Sequence, residues 1–360
     1  MKGMIFVSQS KIDKLFELES KIDNSVLARK RLISLFDENT FTELNNLMCL
    51  NNGGVVCGYG YIQGKLCYAF SQDISNNNGA VTALHAEKID KIYSLAVKTG
   101  SPVIAIYDSN GAKIDEGAKM MSSYAKILKK ASTVSGIVPQ IALVLGVCGG
   151  ISSMLALSSD FVIMNQKSEL FMASPFITDT KADVKNAVAC GLATLTGKDD
   201  LECIDLARNI ITLMPQNNLS DGTFTFEFEQ SITEISTDGC PKDIVKSVAD
   251  KDSLIELYSE YGKGVYTFLG TLAGNTVGFL VTSKQNKLDS CSCQKASKLI
   301  NICDAFNIPV VTFVNTLGFD GNAECIRSAA VLSNTYAQAT TPKVAIITGN
   351  AFGASYVALA

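Results

Sequence analysis

The chain has 360 residues with 31 basic and 35 acidic groups, a formal net charge of −4, and 47% of its residues are apolar; at roughly 150 residues per domain this suggests about two domains, each able to bury a core. The mild acidity argues against nucleic-acid binding, which asks for a basic face. A single histidine, His85, rules out a two-histidine metal site and leaves a catalytic triad only through that residue, and 11 scattered cysteines without a CxxC pair offer neither a zinc ribbon nor a thioredoxin motif, so no metal is expected.

The N-terminus gains charge too soon after its short apolar stretch for a signal peptide. With free thiols acting as apolar fillers, this points to a reducing, cytoplasmic setting. Segments 55–61 and 66–70 read as a hairpin, since Gly58-Tyr-Gly60-Tyr-Ile-Gln-Gly64 has the wrong spacing for a dinucleotide loop. A helix over 83–98 follows, with His85 near its start as a packing or capping residue, then a Pro-led strand over 103–107. Asp115 and Glu116 suit the positive end of the next helix, Lys113 and Lys119 are candidates for phosphate contacts, and Met120, Met121 and Tyr124 read as core or rim. No charge occurs over 131–159, yet Pro139, Gln140 and several glycines fit a buried strand over 141–145, a glycine turn and a buried helix better than a membrane span. Gly191-Leu-Ala-Thr-Leu-Thr-Gly197-Lys198-Asp199 has one residue too many for a phosphate loop. Turn formers over 216–222 mark a boundary. Beyond it the order returns: a hairpin of 266–272 with 276–281, a helix over 294–307, and strands over 310–314 and 344–347.

That return is an internal repeat. Pro102 aligns with Pro309 and Gly111 with Gly318 at an offset of 207, Pro139-Gln-Ile-Ala-Leu-Val-Leu-Gly146 matches Pro342-Lys-Val-Ala-Ile-Ile-Thr-Gly349 at 203, and Phe41-Thr-Glu-Leu44 pairs with Leu254-Ile-Glu-Leu257 at 213. A falling offset means two diverged copies of one α/β unit, the second with shorter loops. Each copy ends in a strand–glycine–helix junction, Gly146-Val-Cys-Gly-Gly-Ile-Ser152 and Gly349-Asn-Ala-Phe-Gly-Ala-Ser355. Glycines there let the backbone turn tightly and leave amides facing outward, suited to an anion or to a carbonyl oxygen acquiring charge.

Phe36-Asp-Glu-Asn-Thr-Phe-Thr-Glu43, His85-Ala-Glu-Lys-Ile89, Asp108-Ser-Asn-Gly-Ala-Lys-Ile-Asp-Glu-Gly117, Gly146-Val-Cys-Gly-Gly150, Leu213-Met-Pro-Gln-Asn-Asn218, Leu317-Gly-Phe-Asp-Gly321 and the stretch from Ala339 through Gly353 together resemble the beta-type carboxyltransferase subunits of biotin-dependent acyl-CoA carboxylases and decarboxylases. The likeness covers nearly everything after Ala28. It implies an α/β fold of two tandem crotonase-like domains built from repeated β-β-α units, residues 1–218 on the acyl-CoA side and 219–360 on the biotin side. It implies carboxyl transfer between carboxybiotin on a carrier protein and a coenzyme A thioester of acetyl or propionyl type. In such enzymes the first turn's amides hold the thioester oxygen as an enolate and the second turn's hold the ureido oxygen of biotin. Carried over, these are Gly150 and Ile151, and Gly353 and Ala354, with Gly149, Lys113 and Phe352 as neighbouring cofactor contacts. The implied partners are a biotin carboxyl carrier protein, biotin carboxylase and the acyl-CoA, with no nucleic acid and no membrane insertion. A homo-oligomer is implied in which one chain's first domain faces another's second. The alternatives are the same half-reaction in a decarboxylase and a non-catalytic structural paralogue.

The sequence departs from that pattern at four places: Ile151 and Asn110 replace glycines, Ser328 follows Arg327 where histidine is usual, and 176–187 lacks the family's glycine-rich patterns. At the last offset Ala360 corresponds to Leu157, after which the first copy continues. The second copy is therefore expected to be truncated, or its open edge covered by another chain.

Overall fold

A computed structural model of the chain describes residues 9–20, 22–23, 25–48, 52–178, 181–231 and 240–359. Helices α1 (Gln9–Ser20) and α2 (Leu27–Leu35) lead into β1 (Thr42–Glu43), the hairpin β2 (Val55–Ile62) and β3 (Lys65–Gln72), α3 (Ala83–Thr99), β4 (Val103–Ser109), α4 (Ala118–Val134), β5 (Gln140–Gly149) and α5 (Ile151–Leu157). Then come β6 (Phe161–Asn165), β7 (Glu169–Phe171), α6 (Val184–Ala189), β8 (Leu195–Gly197) and α7 (Asp200–Leu213). The second copy runs α8 (Pro241–Val248), β9 (Ile255–Leu257), β10 (Val265–Leu272), β11 (Asn275–Thr282), α9 (Ser290–Ala305), β12 (Val310–Val314), α10 (Ala323–Gln338), β13 (Lys343–Ile347) and α11 (Gly353–Leu359).

The repeat holds at the level of hydrogen-bond register. One sheet has the order β1-β2-β3-β4-β5-β6-β8, with β7 added on β5, and the other β9-β10-β11-β12-β13. Glu43 faces Gly58 as Glu256 faces Phe268, and Val55 faces Gln72 as Val265 faces Thr282. Tyr68 pairs with Val103 as Gly278 does with Val310, and Val103 with Gln140 as Val310 does with Lys343. The offset is thus 213 at the first strand, 210 across the hairpin, 207 at the fourth strand and 203 at the fifth, stepping down only in the connections. Both hairpins close through two residues of positive φ, Gln63 and Gly64 (48° and 77°) and Ala273 and Gly274 (48° and 78°), the turn whose twist matches the strands it joins.

Side-chain alternation sorts the core into layers. Val55, Phe70, Val103 and Tyr107 face α3 and α4, while Val56, Ile104, Ile141 and Phe161 face α2 and α7 in a cluster that continues through Leu299, Ile300 and Cys303 of α9 into the second sheet. The far face of that sheet carries Phe268, Phe279 and Phe313 against Ile244 and Val245 of α8. Each fully buried aliphatic or phenyl side chain contributes about 1.5–3 kcal/mol. The described cysteines are free, and burial pushes the Cys57 thiol up to about 11 and Cys67 to about 12; these two fill space in the hairpin, as expected.

Three expectations need adjustment. The helix expected over 294–307 starts earlier, at Ser290, because the Asp289 carboxylate accepts from Ser292 N (2.7 Å) and caps it. The strand expected to stop at 145 runs through Gly146 to Gly149, because β7 extends the ladder beside Val147, Cys148 and Gly149. Asp115 and Glu116 form a separate short turn before α4, and the Glu116 carboxylate instead accepts from Ala83 N at the start of α3 (2.8 Å). The 131–159 stretch divides into the end of α4, β5 and α5, and no described helix is long and apolar enough to cross a membrane. In β13, Val344, Ile346 and Ile347 are exposed, whereas the matching β5 positions are buried by β6 and its neighbours. Ala360, like residues 1–8, lies outside the described residues, and so does the expectation attached to it.

Candidate active site

The glycines of the two junctions serve different purposes. At Gly146 a Cβ would sit 2.1 Å from Asp108 Oδ1, and at Gly349 2.4 Å from Asn315 Cγ. These two are glycine because an Asx side chain lies against the backbone. Gly150 and Gly353 are glycine for conformation: φ is 63° and 60°, and a Cβ would meet nothing within 4 Å. Gly149 is buried, paired with Phe171 across the ladder, and a Cβ there would lie 2.8 Å from the Phe171 ring. It packs and does not face open space.

Which amides remain to act on a ligand follows from the hydrogen bonds already made. Gly150 N–H donates to Phe171 O (2.9 Å). Of the expected first pair, only Ile151 N–H, at the first position of α5, has no partner among the described residues. In the second copy both Gly353 and Ala354 N–H groups are without a partner among the described residues.

A further amide in each copy escaped the sequence reading. After β4, Gly111 (φ 114°) donates to Ser109 Oγ (3.1 Å) and accepts from Val81 N (2.9 Å), while Lys113 N donates to Val81 O (3.2 Å). Ala112, bridged to Val81 between these bonds, turns its own N–H away from that strand, and among the described residues it has no acceptor. After β12 the pattern repeats: Gly318 (φ 89°) donates to Thr316 Oγ1 (3.2 Å), Leu288 N donates to Gly318 O (3.0 Å), Asp320 N donates to Leu288 O (2.8 Å), and Phe319 is bridged to Leu288. The loop ends lie against the turns: Asn110 O would be 3.1 Å from a Cβ on Gly149, and the Phe352 ring 3.8 Å from one on Gly318. The 207 offset links Ala112 to Phe319 and was the signal that could have found them.

The surrounding side chains orient these backbones. His85 is fully buried; burial, with the Lys88 charge, pushes its pKa down to about 3, so the ring is neutral. Asp108 N donates to Gln72 Oε1 (3.1 Å), which leaves Gln72 Nε2 facing His85 Nε2 (3.4 Å). Tyr124 pairs with Ser152 Oγ beneath α5 (3.2 Å), and burial pushes its hydroxyl up to about 12. Met120 and Tyr124 are core, whereas Met121 is exposed. Lys113 is half-buried at the loop end, Phe352 is exposed beside the second turn, and Met172, Phe176 and Ile177 are exposed in the loop after β7. Among the described residues no group of three or more His, Cys, Asp or Glu side chains is placed to hold a metal ion.

Residues 22–360 match the carboxyl transferase domain family. The methylmalonyl-CoA decarboxylase subunit alpha of Veillonella parvula is 32% identical over 375 residues, 92% of this chain and 74% of that protein. The propionyl-CoA carboxylase beta chain of Roseobacter denitrificans is 31% identical over 375 residues, with the same 92% and 74% shares. The crystal structure of the transcarboxylase 12S hexamer with hydrolysed methylmalonyl-coenzyme A bound superposes with a TM-score of 0.85 at 26% identity, over 98% of this chain and 76% of that one. The crotonase-like α/β fold expected from the sequence is the fold of these carboxyltransferases.

Proposed function

Because the chain belongs to the carboxyl transferase domain family, we propose that it moves a carboxyl group between carboxybiotin on a carrier protein and an acyl-CoA of propionyl or methylmalonyl type. The supporting observation is the pair of register-matched turns, each with an open glycine of positive φ beside amides that have no partner among the described residues. In the first, Ile151 and Ala112 N–H groups hold the thioester oxygen, and Gly150 serves as the turn itself. In the second, Gly353, Ala354 and Phe319 N–H groups hold the ureido oxygen of biotin. A neutral asparagine, Asn315, lies behind the second turn, which puts no like charge behind an oxygen that becomes negative as biotin gives up its carboxyl group.

Bound carboxybiotin supplies the carboxyl group. The chain's part is to place the acyl α-carbon and to stabilise the oxygen on which enolate charge develops, at about 3 kcal/mol per amide donor. Its one histidine is neutral and sealed in the core, so the residues supply donors and positioning and no side-chain base. We place the acyl-CoA half in residues 1–218 and the biotin half in 219–360, in a cytoplasmic homo-oligomer that brings one chain's first turn to another's second. A biotin carboxyl carrier protein is the partner in either direction of transfer, and biotin carboxylase in the carboxylating one. The hexamer named for transcarboxylase 12S supports such an assembly.

The test is to mix the full chain with a biotinylated carrier protein and methylmalonyl-CoA labelled in its free carboxyl group. Label should pass to the carrier and from there to propionyl-CoA. A folded chain that moves none, and exchanges nothing with acetyl-CoA either, is a structural paralogue and overturns the reading.

A further inference from the structure

Asp108 stands at the end of β4 with its backbone leading into Ala112 and its side chain on the other half of the same site. Its Oδ1 accepts from Val147 N (3.3 Å) and lies against Gly146. Its Oδ2 accepts from Arg31 Nη1 (2.7 Å), in a pair that is about nine-tenths buried on both sides. The same guanidinium reaches Asp200 through Nε (2.8 Å) and Leu145 O through Nη2 (3.3 Å). A helix at the chain's start, the strand before the Ala112 loop and the strand before the Gly150 turn therefore meet at one carboxylate.

The second copy shows what this pair replaces. Asn315 matches Asp108 at the 207 offset, and its Oδ1 accepts from Asn350 N (3.0 Å), the counterpart of Val147 N. Arg29 and Glu43 form the ion pair that Lys242 and Glu256 form at an offset of 213; at that same offset Arg31 becomes Ile244, buried against Val245 and the phenylalanine cluster. Charge has been gained or lost at both positions together: Arg with Asp in one copy, Ile with Asn in the other.

We propose that Asp108, oriented by Arg31, is the positioning residue of the acyl-CoA site, setting the distance between the Ile151 and Ala112 amides without touching the substrate. This rests on the reading above that those amides hold the thioester oxygen. Arg31 has two tasks. It directs Oδ1 at Val147 N–H, and it cancels a carboxylate that would otherwise lie behind an oxygen acquiring negative charge, where an unpaired buried ion is costly. In the second copy the neutral Asn315 takes the same place and needs no cation beside it.

The arrangement predicts an unusual mutant cycle. D108N is isosteric, yet beside Arg31 the amide must turn its oxygen to the guanidinium and present NH₂ to Val147 N–H, donor against donor. R31I leaves Asp108, and Asp200 with it, without their shared cation. R31I/D108N recreates the pair of the second copy and should restore the turn. The readout is the infrared carbonyl stretch of propionyl-CoA, carbon-13 labelled at the thioester and bound to the full chain, together with kcat and KM for carboxyl transfer. Wild type should lower the stretch relative to free propionyl-CoA. Each single variant should lose most of that lowering and about 10²-fold in kcat, with KM within about threefold, and the double variant should recover at least tenfold over D108N. If R31I fails to fold, D108N against wild type, with circular dichroism as control, still decides. D108N with unchanged stretch and kcat, or a double variant no better than D108N, overturns the proposal. A wild-type protein that binds propionyl-CoA with no carbonyl shift overturns the amide reading instead.

Discussion

The two glycine turns share one backbone and differ in what supports them. Behind the first, Asp108 lies against Gly146 and is held in a buried ion pair with Arg31; behind the second, the neutral Asn315 takes the same place against Gly349. Backbone ladders depend little on side chains and survived divergence register for register. The polar groups behind them did not. What the fold repeats, then, is the position of its amides, and what differs between the copies is the charge behind them.

The largest expected difference between the copies concerns acid. At the 207 offset His85 of the first copy matches Ser292 of the second, and His85 is the only histidine in the chain. Its folded pKa, about 3, lies below its unfolded value of about 6.5. Between those values the unfolded chain binds the extra proton, so the histidine's contribution is full above about pH 6.5 and is lost as pH falls toward 3. By pH 4 this should amount to about 3 kcal/mol. Urea midpoints at pH 7 and pH 4 should show that His85→Gln loses less on acidification than wild type, by about this amount. Equal losses in the two proteins would remove the asymmetry.

A somewhat smaller effect separates the Asx-packed glycines. Gly146→Ala drives a methyl into Asp108, which Arg31 holds in place, whereas Gly349→Ala meets Asn315, which has no such partner. Overpacking should cost about 2–3 kcal/mol at Gly146 and less at Gly349, read from denaturant unfolding. The reverse order would show that Asp108 yields more readily than its ion pair implies.

The smallest effect is one on which the copies should agree. Thr82 caps α3 by accepting from His85 N (3.1 Å), and Asp289 caps α9 at the matching position (2.7 Å). Replacing either with alanine should cost about 1 kcal/mol in thermal or urea unfolding. Asp289 should cost the more, since its carboxylate also accepts from Ser292 Oγ (2.6 Å) and lies at a helix N-terminus.

Much of this was legible in the sequence because it is periodic or repeated. The hairpins, the Pro-led strands and the drifting offset are local or self-referential signals, and each reappears in the register of the sheets. The family resemblance likewise rested on short motifs, and it pointed to the two glycine turns. It did not show that Gly150 N–H is already taken, because the acceptor, Phe171 O, belongs to a strand that follows the turn by some twenty residues. Nor did it show Ala112 and Phe319, whose N–H groups have no acceptor among the described residues.

By itself, then, the sequence determined the two-copy α/β architecture and the place of each strand–glycine–helix junction. Hydrophobic period, turn residues and composition act over a few positions and need no partner to be read. Only the tertiary structure decided which amides stay open, and that Arg31, Asp108 and Asp200 converge from widely separated parts of the chain. A buried polar group must find its partner wherever the fold brings one, and no periodicity along the chain records that choice.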